Sequence, residues 1–145
     1  MLLATCWAHD WETDQDLPNS FALSYDAGRT WTAPLASPVM GQTGWPLPLG
    51  DDRVLYVYNH RQPPVGVRAQ LVRIVDTRWM ILFDEEIWSP VNKHTGTIAN
   101  DDYGVNGFQF GAPSAIELIG GEILLSYWCV TGGRSGIECT RLTLE

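Results

Sequence analysis

An internal repeat constrains the fold of this chain more than any other feature of its sequence. Residues 45–56 and 112–125 each contain a small or aromatic residue, a proline, a short apolar strand, a glycine turn and a strongly apolar second strand. Residues 2–7 fit the second strand of an earlier copy whose first strand is missing. Units of several short antiparallel strands that repeat in this way predict the blades of a β-propeller.

The hydrophobic pattern predicts an all-β fold, because apolar residues recur with a period of two and no stretch sustains a helical period. The predicted strands are residues 2–8, 20–25, 46–49, 54–59, 67–75, 79–83, 114–118, 123–129 and 137–144. The main predicted connections are an acidic loop at 9–19, a Pro- and Gly-rich segment at 34–44 and a polar loop at 89–107. One domain would then contain about three four-stranded antiparallel blades, at 1–44, 45–88 and 108–145, with 89–107 as the loop between two of them.

Charge and cysteine usage exclude several classes of function. The chain has 17 acidic and 9 basic residues and a net charge of −8, so it repels the phosphates of nucleic acids and anionic membranes. No apolar run approaches the ~20 residues of a membrane span, and residues 1–10 do not resemble a secretion signal, which predicts a cytoplasmic protein as written. Cys6, Cys129 and Cys139 lack metal-ligand spacing, although the last two flank one predicted hairpin and could approach each other. We expect no metal, no cofactor, no nucleic-acid partner and no membrane partner.

An eight-residue motif follows the second predicted strand, with the sequence Ser-Tyr-Asp-Ala-Gly-Arg-Thr-Trp at residues 24–31. It resembles the Asp-box of bacterial neuraminidase repeats at every fixed position. Asp26 can accept backbone N–H bonds across the tight turn, Gly28 allows a positive φ, and Trp31 can pack under the hairpin. We therefore expect a structural role in the turn, not a catalytic one, for the box residues Ser24, Asp26, Gly28, Thr30 and Trp31.

The resemblance extends over most of the remaining chain. Residues 58–69 are similar to a stretch of sialidase-like propeller proteins that contains two arginines and two adjacent prolines, and residues 110–142 resemble the closing blade of that family. The family fold is a six-bladed propeller, of which this chain resembles the C-terminal half. Two departures stand out: the second Asp-box is reduced to Trp79, and Ala112 replaces the tyrosine usual before the last blade's proline.

Blade geometry sorts the polar residues by face, because alternate turns of an antiparallel blade lie at opposite ends of its strands. The Asp-box turn, residues 50–53 and residues 120–121 are expected to share one face. The opposite face is expected to collect His9, Asp10, Glu12, Asp14, Asp16, His60, Arg61, Asp101, Asp102, Tyr103 and Arg134. Polar loops grouped at one end of a rigid scaffold are where binding residues usually lie.

Sialidase chemistry, as the resemblance implies it, requires arginines that hold a carboxylate, an acid at the leaving oxygen and a tyrosine nucleophile. Arg61 and Arg68 match arginines of the family stretch and are the candidate clamp; alternatively, they form salt bridges or brace loops. Asp10 is the candidate acid, unless it is a solvated loop carboxylate. Tyr103 is the candidate nucleophile, whereas Tyr127 lies in an apolar strand that favours core packing.

Two further residues, His60 and Arg134, complete the predicted substrate-binding set. His9 and His60 occupy equivalent ends of second strands, so they could bind a ligand or a metal together, although nothing in their spacing requires it. The sequence therefore leaves the role of the histidines open.

The resemblance implies an exo-acting glycosidase, or a fragment of one, that hydrolyses terminal sialic-acid-like bonds. The alternative is a non-catalytic glycan-binding or assembly module that keeps the fold without the chemistry. A carbohydrate ligand is expected in both cases. Three blades would leave two apolar flanks uncovered, and burial stabilises by about 25 cal/mol per Å². We therefore expect either a homodimer or the remainder of a longer propeller chain to cover them.

Overall fold

The computed structural model describes residues 1–90 and 109–144, which form ten β-strands and, within those ranges, no helix. The strands are β1 (Leu2–Asp10), β2 (Gln15–Ser24), β3 (Leu35–Ala36), β4 (Gln42–Gly50), β5 (Arg53–His60), β6 (Gly66–Val75), β7 (Arg78–Trp88), β8 (Phe110–Glu117), β9 (Ile123–Thr131) and β10 (Arg134–Leu142). The prediction of an all-β fold is confirmed. None of the described residues belongs to a helix that is long and apolar enough to cross a membrane.

The strands form three antiparallel sheets in which chain neighbours are also spatial neighbours. The N-terminal sheet has the order β1-β2-β3, the central sheet β4-β5-β6-β7 and the C-terminal sheet β8-β9-β10. The central sheet lies between the other two, because β4 contacts both β1 and β8. The three sheets therefore stack in the order in which the chain makes them.

The sequence of β5, a strand of the central sheet, reflects its position between the two outer sheets. Its run Val-Leu-Tyr-Val-Tyr, residues 54–58, is buried throughout. Val54 packs with Phe21 of the N-terminal sheet, whereas Leu55 packs with Leu125 of the C-terminal sheet. A strand covered on both faces carries a continuous apolar run in place of an alternating pattern.

Three hairpins close with two-residue turns that match the right-handed twist of the strands. Residues 51–52, 76–77 and 132–133 all have positive φ at both central positions. This is the geometry of the tight turns that suit twisted antiparallel strands, and it favours Gly, Asp and Asn. The turn chemistry therefore sets the register of these hairpins.

The predicted acidic loop at residues 9–19 is too long, and this expectation is corrected. β1 continues to Asp10 and β2 begins at Gln15, so the turn is limited to residues 11–14. The cross-strand pair of His9 and Asp16 extends the ladder into a segment whose polar residues suggested a loop. Polar side chains on the solvent side of a hairpin do not prevent its backbone from pairing.

The predicted connection at residues 34–44 is also corrected, because it contains β3 and the start of β4. β3 pairs with β2 through only two residues, opposite Ser20 and Phe21, which is too short for a periodic signal. The predicted loop at 89–107 lies, beyond Pro90, outside the described residues.

Candidate functional site

The connections between strands lie at two opposite ends of the stacked sheets. The loop end carries the β1–β2 turn (11–14), the β5–β6 loop (61–65) and the β9–β10 turn (132–133). The turn end carries residues 25–31, 51–52, 76–77 and 118–122. Two side-chain bonds align the sheets in this way: Asn19 Nδ2 donates to the Tyr56 hydroxyl at 3.2 Å, and Arg61 Nη2 donates to the Phe110 carbonyl at 2.8 Å. The described members of the polar set predicted for one face lie at the loop end.

Arg61 joins the central sheet to the C-terminal sheet. Its guanidinium lies 4.4 Å above the ring of Phe110 in addition to its bond to the Phe110 carbonyl. Burial lowers the pKa of Arg61 to about 10, so the group stays charged at neutral pH. A guanidinium that stacks on a ring and bonds to a carbonyl braces the start of β8.

Arg68 braces a different part of the central sheet. Its Nε and Nη2 atoms donate to Asp84 Oδ1 at 2.9 and 2.7 Å, and Gln70 donates to the other carboxylate oxygen at 2.9 Å. Trp79 Nε1 in turn donates to Gln70 Oε1 at 3.3 Å. This network spans β6 and β7 and occupies the carboxylate-binding edge of the guanidinium.

The two predicted clamp residues are not brought together by the fold. Arg68 pairs across the ladder with Tyr58, whose ring stacks with Tyr56 on the face toward the N-terminal sheet. Arg61 instead contacts Phe110, which belongs to the core on the opposite face. The guanidinium groups therefore lie on opposite faces of the central sheet.

The most connected polar cluster of the loop end surrounds His9 in the first hairpin. His9 Nδ1 lies 2.9 Å from Asp16 Oδ1, and Nε2 lies 3.2 Å from Asp14 Oδ1. The Trp7 ring centroid is 5.9 Å from that of the imidazole, and the Trp11 ring centroid is 4.7 Å from it in a T-shaped arrangement with an interplanar angle of 68°. Trp7 Nε1 also donates to Asp16 Oδ1 at 3.3 Å. The imidazole is thus held by two carboxylates and two indoles.

This environment favours the protonated form of His9. Its pKa is raised from 6.5, first by the hydrogen bond to Asp16 and further by Asp14, against an opposing effect of burial. Both ring nitrogens donate only when the ring is an imidazolium. His9 therefore links Asp14 and Asp16 across the turn between β1 and β2, and these contacts favour its protonated form.

We expect the stability of the chain to depend on pH through His9. A raised folded-state pKa contributes stability that is fully present below pH 6.5 and is lost as the pH rises through that raised value. Denaturant unfolding of the parent and of His9→Gln between about pH 5 and about pH 9 measures this contribution. The difference in free energy of unfolding between the parent and His9→Gln should shrink as pH rises. A difference that does not depend on pH would contradict the stabilising role of protonated His9.

Asp10 is the last residue of β1, and its carboxylate accepts hydrogen bonds from the turn that follows. Oδ2 accepts from the Thr13 hydroxyl at 2.7 Å and Oδ1 from the Glu12 amide at 2.9 Å. These bonds lower the pKa of Asp10, the Thr13 hydroxyl having the largest effect. A general acid for glycoside cleavage needs a raised pKa, so the local geometry favours an ionised turn carboxylate.

The other predicted site residues have varied positions. His60 Nδ1 lies 2.9 Å from the Pro64 carbonyl, which leaves Nε2 directed away from that bond. Arg134 is exposed at the start of β10, opposite Thr131. Tyr103 lies outside the described residues. Tyr127 is buried in the core.

No group of three or more His, Cys, Asp or Glu in residues 1–90 and 109–144 could hold a metal ion, and all three cysteines are free.

The motif at residues 24–31 forms a connected set of hydrogen bonds at the turn end. Asp26 Oδ1 accepts from the Thr30 amide at 2.9 Å and from the Ser24 hydroxyl at 2.9 Å, and Oδ2 accepts from the Thr30 hydroxyl at 2.7 Å. Gly28 has φ of +87°, and its carbonyl accepts from Trp31 Nε1 at 3.2 Å. The bonds to Thr30 lower the pKa of Asp26 to about 2.

Asp26→Ala should lower the melting temperature by about 5 °C, because the turn loses three acceptor bonds at once. Ligand affinity should not change, since the motif lies at the opposite end from the loop-end residues. The difference from the parent should disappear as pH falls from 3.8 through about 2, where the carboxylate becomes protonated. A tenfold loss of affinity at an unchanged melting temperature would refute the structural role.

Sequence reasoning missed two buried asparagines, Asn19 and Asn59. Asn19 bonds to the Tyr56 hydroxyl and accepts from the Gly41 amide at 3.3 Å, which ties two sheets together. Asn59 is fully buried near the loop end, and its side-chain nitrogen and oxygen have no hydrogen-bond partner in the described part of the chain. An asparagine near a predicted loop is typical of a turn, so only the packed structure identifies these positions.

Comparison with known proteins gives one structural likeness. No protein-family model and no curated protein matches the chain. The chain is similar to a crystal structure of a protein of unknown function from Dyadobacter fermentans DSM 18053, with a TM-score of 0.63 and 25% sequence identity. The match covers 88% of this chain and 32% of that chain. The arrangement of the three sheets therefore has a counterpart within a much longer protein.

Proposed function

We propose that this chain is a glycan-binding part of a sialidase-like β-propeller and binds carbohydrate at its loop end without hydrolysing it. The propeller assignment is supported by three antiparallel sheets that stack in chain order and by the sequence repeat of the first two strands in the central and C-terminal sheets. The Asp-box hydrogen bonds at the turn end add support from an independent motif.

The choice of carbohydrate as the ligand rests on one observation. The hairpin of β1 and β2 exposes two indole rings, Trp7 and Trp11, beside several carboxylates. Trp11 is 83% exposed and Trp7 is 39% exposed, although large aromatic rings are usually buried. A sugar ring offers an apolar face that can stack on an indole and hydroxyl groups that can donate to carboxylates. Asp14, whose side chain is 80% exposed, is placed to accept such bonds.

The charge of the hairpin points to a neutral glycan. Asp10, Glu12, Asp14 and Asp16 lie within seven residues, and this segment contains no Lys or Arg. Carboxylates repel an anionic sugar but accept hydrogen bonds from neutral hydroxyl groups. We therefore expect neutral glycans to bind at least as tightly as their sialylated counterparts.

Hydrolysis of terminal sialic-acid-like bonds is the second candidate function. It is favoured by the similarity of residues 58–69, with Arg61 and Arg68, to the family stretch. The contacts of the two arginines with Phe110 and Asp84 support bracing, and the lowered pKa of Asp10 supports a binding role over an acid role. Release of the fluorophore from a fluorogenic sialoside would establish hydrolysis.

Calorimetric titration with matched neutral and sialylated oligosaccharides tests the proposal. Trp11→Ala should weaken binding about tenfold, which is the expected loss of one stacked ring. Tyr25→Ala is the matched control, because Tyr25 is an exposed aromatic residue at the turn end. Equal weakening by both substitutions, or no glycan binding by the parent, would overturn the proposal.

Arg61→Lys separates the two candidate functions. A carboxylate clamp requires the planar fork of arginine, so a sialidase site would lose affinity for sialylated ligands far more than for neutral ones. The contacts with Phe110 predict instead a lower melting temperature with no preference between the two ligands. Selective loss of the sialylated ligand would favour the hydrolase.

A further inference from the structure

Of the three outer sheet edges, the edge formed by β7 is the least protected against pairing with another chain. β7 is the last strand of the central sheet and pairs, within the described residues, with β6 alone. The N-terminal sheet ends in β3, which has only two residues, and the C-terminal sheet ends in β10, which carries Arg134, Glu138 and Arg141. Short strands and charged side chains are two ways in which proteins prevent edge pairing. β7 has eleven residues and is the longest of the ten strands.

The middle of β7 is apolar on both faces. Met80, Ile81, Leu82 and Phe83 follow one another along the strand, and each is between 44% and 48% exposed. Apolar side chains on a long unpaired edge favour the addition of another strand, because pairing removes their surface from water while the backbone groups find partners.

A register shift in β7 places its charged and apolar side chains on a common face. Val72 pairs with Ile81 and Leu71 pairs with Phe83, so Leu82 is an extra residue in β7. Alternate residues of a strand share a face, and so do residues paired across a ladder. The β7 partners of residues 75, 73, 71 and 69 on β6, which therefore share one face, are Arg78, Met80, Phe83 and Glu85. Without the extra residue, Arg78 and Glu85 would point to opposite faces.

The order of these four side chains is complementary to itself. Along the strand the shared face presents a cation, two apolar groups and an anion. If a second β7 runs antiparallel beside the first, Arg78 faces Glu85 of the second copy, and Met80 faces Phe83 of the second copy. The two-fold symmetry repeats both contacts. Arg78 and Glu85 are exposed, and neither takes part in an ion pair with the described residues.

We propose that two copies of this chain pair antiparallel through the outer edges of β7, about a two-fold axis beside Ile81 and Leu82. The two central sheets then form one continuous sheet across the dimer, and the apolar run of each copy covers that of the other. This surface is separate from the apolar flanks of the sheet stack. It is also independent of glycan binding, because the hairpin with Trp7 and Trp11 belongs to the N-terminal sheet.

Sedimentation of the full chain over a range of micromolar concentrations tests the proposal by charge reversal. We expect a monomer–dimer equilibrium for the parent. Arg78→Glu or Glu85→Arg should each raise the dissociation constant about tenfold or more, because like charges then face each other twice in the dimer. The double variant Arg78→Glu/Glu85→Arg should recover the parental dissociation constant. Arg134→Glu is the matched control, since Arg134 is an exposed arginine on the outer edge of the C-terminal sheet.

A second variant tests the apolar part of the same interface. Phe83→Lys should abolish the dimer at these concentrations, because it places a cation beside Met80 of the second copy in the middle of the paired strands. Thermal unfolding of every variant establishes that the monomer is still folded. Phe83 is nearly half exposed in the single chain, so its replacement should leave the melting temperature of the monomer close to that of the parent.

Three results would overturn the proposal. The first is a parent that stays monomeric at all concentrations measured. The second is a dimer that Arg78→Glu, Glu85→Arg and Phe83→Lys weaken no more than Arg134→Glu does, because association would then use another surface, such as the apolar flanks. The third is a double variant that dimerises no better than the single variants, because the two charges would then not face each other.

Discussion

Replacing Gly66 with alanine is expected to lower the free energy of unfolding by about 3 kcal/mol, near the upper end for overpacking of a core position. Gly66 begins β6 opposite His60, and a methyl group there would meet the backbone carbonyl oxygen of Trp88 on β7. Both atoms that collide are fixed by strand pairing. Neither strand can move away without losing ladder hydrogen bonds, so the clash is not relieved by a side-chain rotation.

Gly136→Ala is the matched control for this effect. Gly136 lies within β10, and a methyl group there would meet no heavy atom within 4 Å. Its stability should stay the same or rise slightly, because alanine reduces the entropy of the unfolded chain. Urea denaturation measures both variants. Equal destabilisation of the two would show that the loss does not come from the contact with Trp88.

Leu125→Ala is expected to cost about 3 kcal/mol, a typical value for a fully buried leucine. Leu125 is 0% exposed and packs in the core between the central and C-terminal sheets, with Leu55 and Val57 among its neighbours. Truncation leaves a cavity that two facing sheets cannot close by local relaxation. Its neighbour Leu124 points to the other face of the same strand and provides the control.

Leu124→Ala also tests whether a second copy covers the outer face of the C-terminal sheet. Leu124 pairs across the ladder with Ile116, which is 58% exposed, and Ile137 farther along this sheet is 78% exposed. In an isolated chain the substitution should cost clearly less than Leu125→Ala. In a homodimer, one of the two alternatives expected from the sequence, its cost should rise with protein concentration, since association adds to apparent stability by mass action. A large cost independent of concentration would contradict both expectations.

The local features of this fold were predictable from the sequence because they depend on neighbouring residues. Glycine and aspartate turns closed the predicted hairpins at 51–52, 76–77 and 132–133. The unbroken apolar run at 54–58 marked a strand, and Tyr127 was expected in the core, where it lies. Strand ends were less accurate, as at residues 9–19, since a hairpin continues wherever the opposite strand offers a pairing partner.

The sequence by itself determined an all-β chain with tight antiparallel hairpins. Tertiary structure alone decided which side chains meet. Arg61 and Arg68 appear as one clamp in the sequence, yet the central sheet separates them, because Arg61 binds Phe110 and Arg68 binds Asp84 on opposite faces. His9 gains its contacts with Asp14 and Asp16, which raise its pKa, only when β1 and β2 pair. Turn propensity is a property of a few adjacent residues, whereas the partner of a side chain depends on how distant strands register and stack.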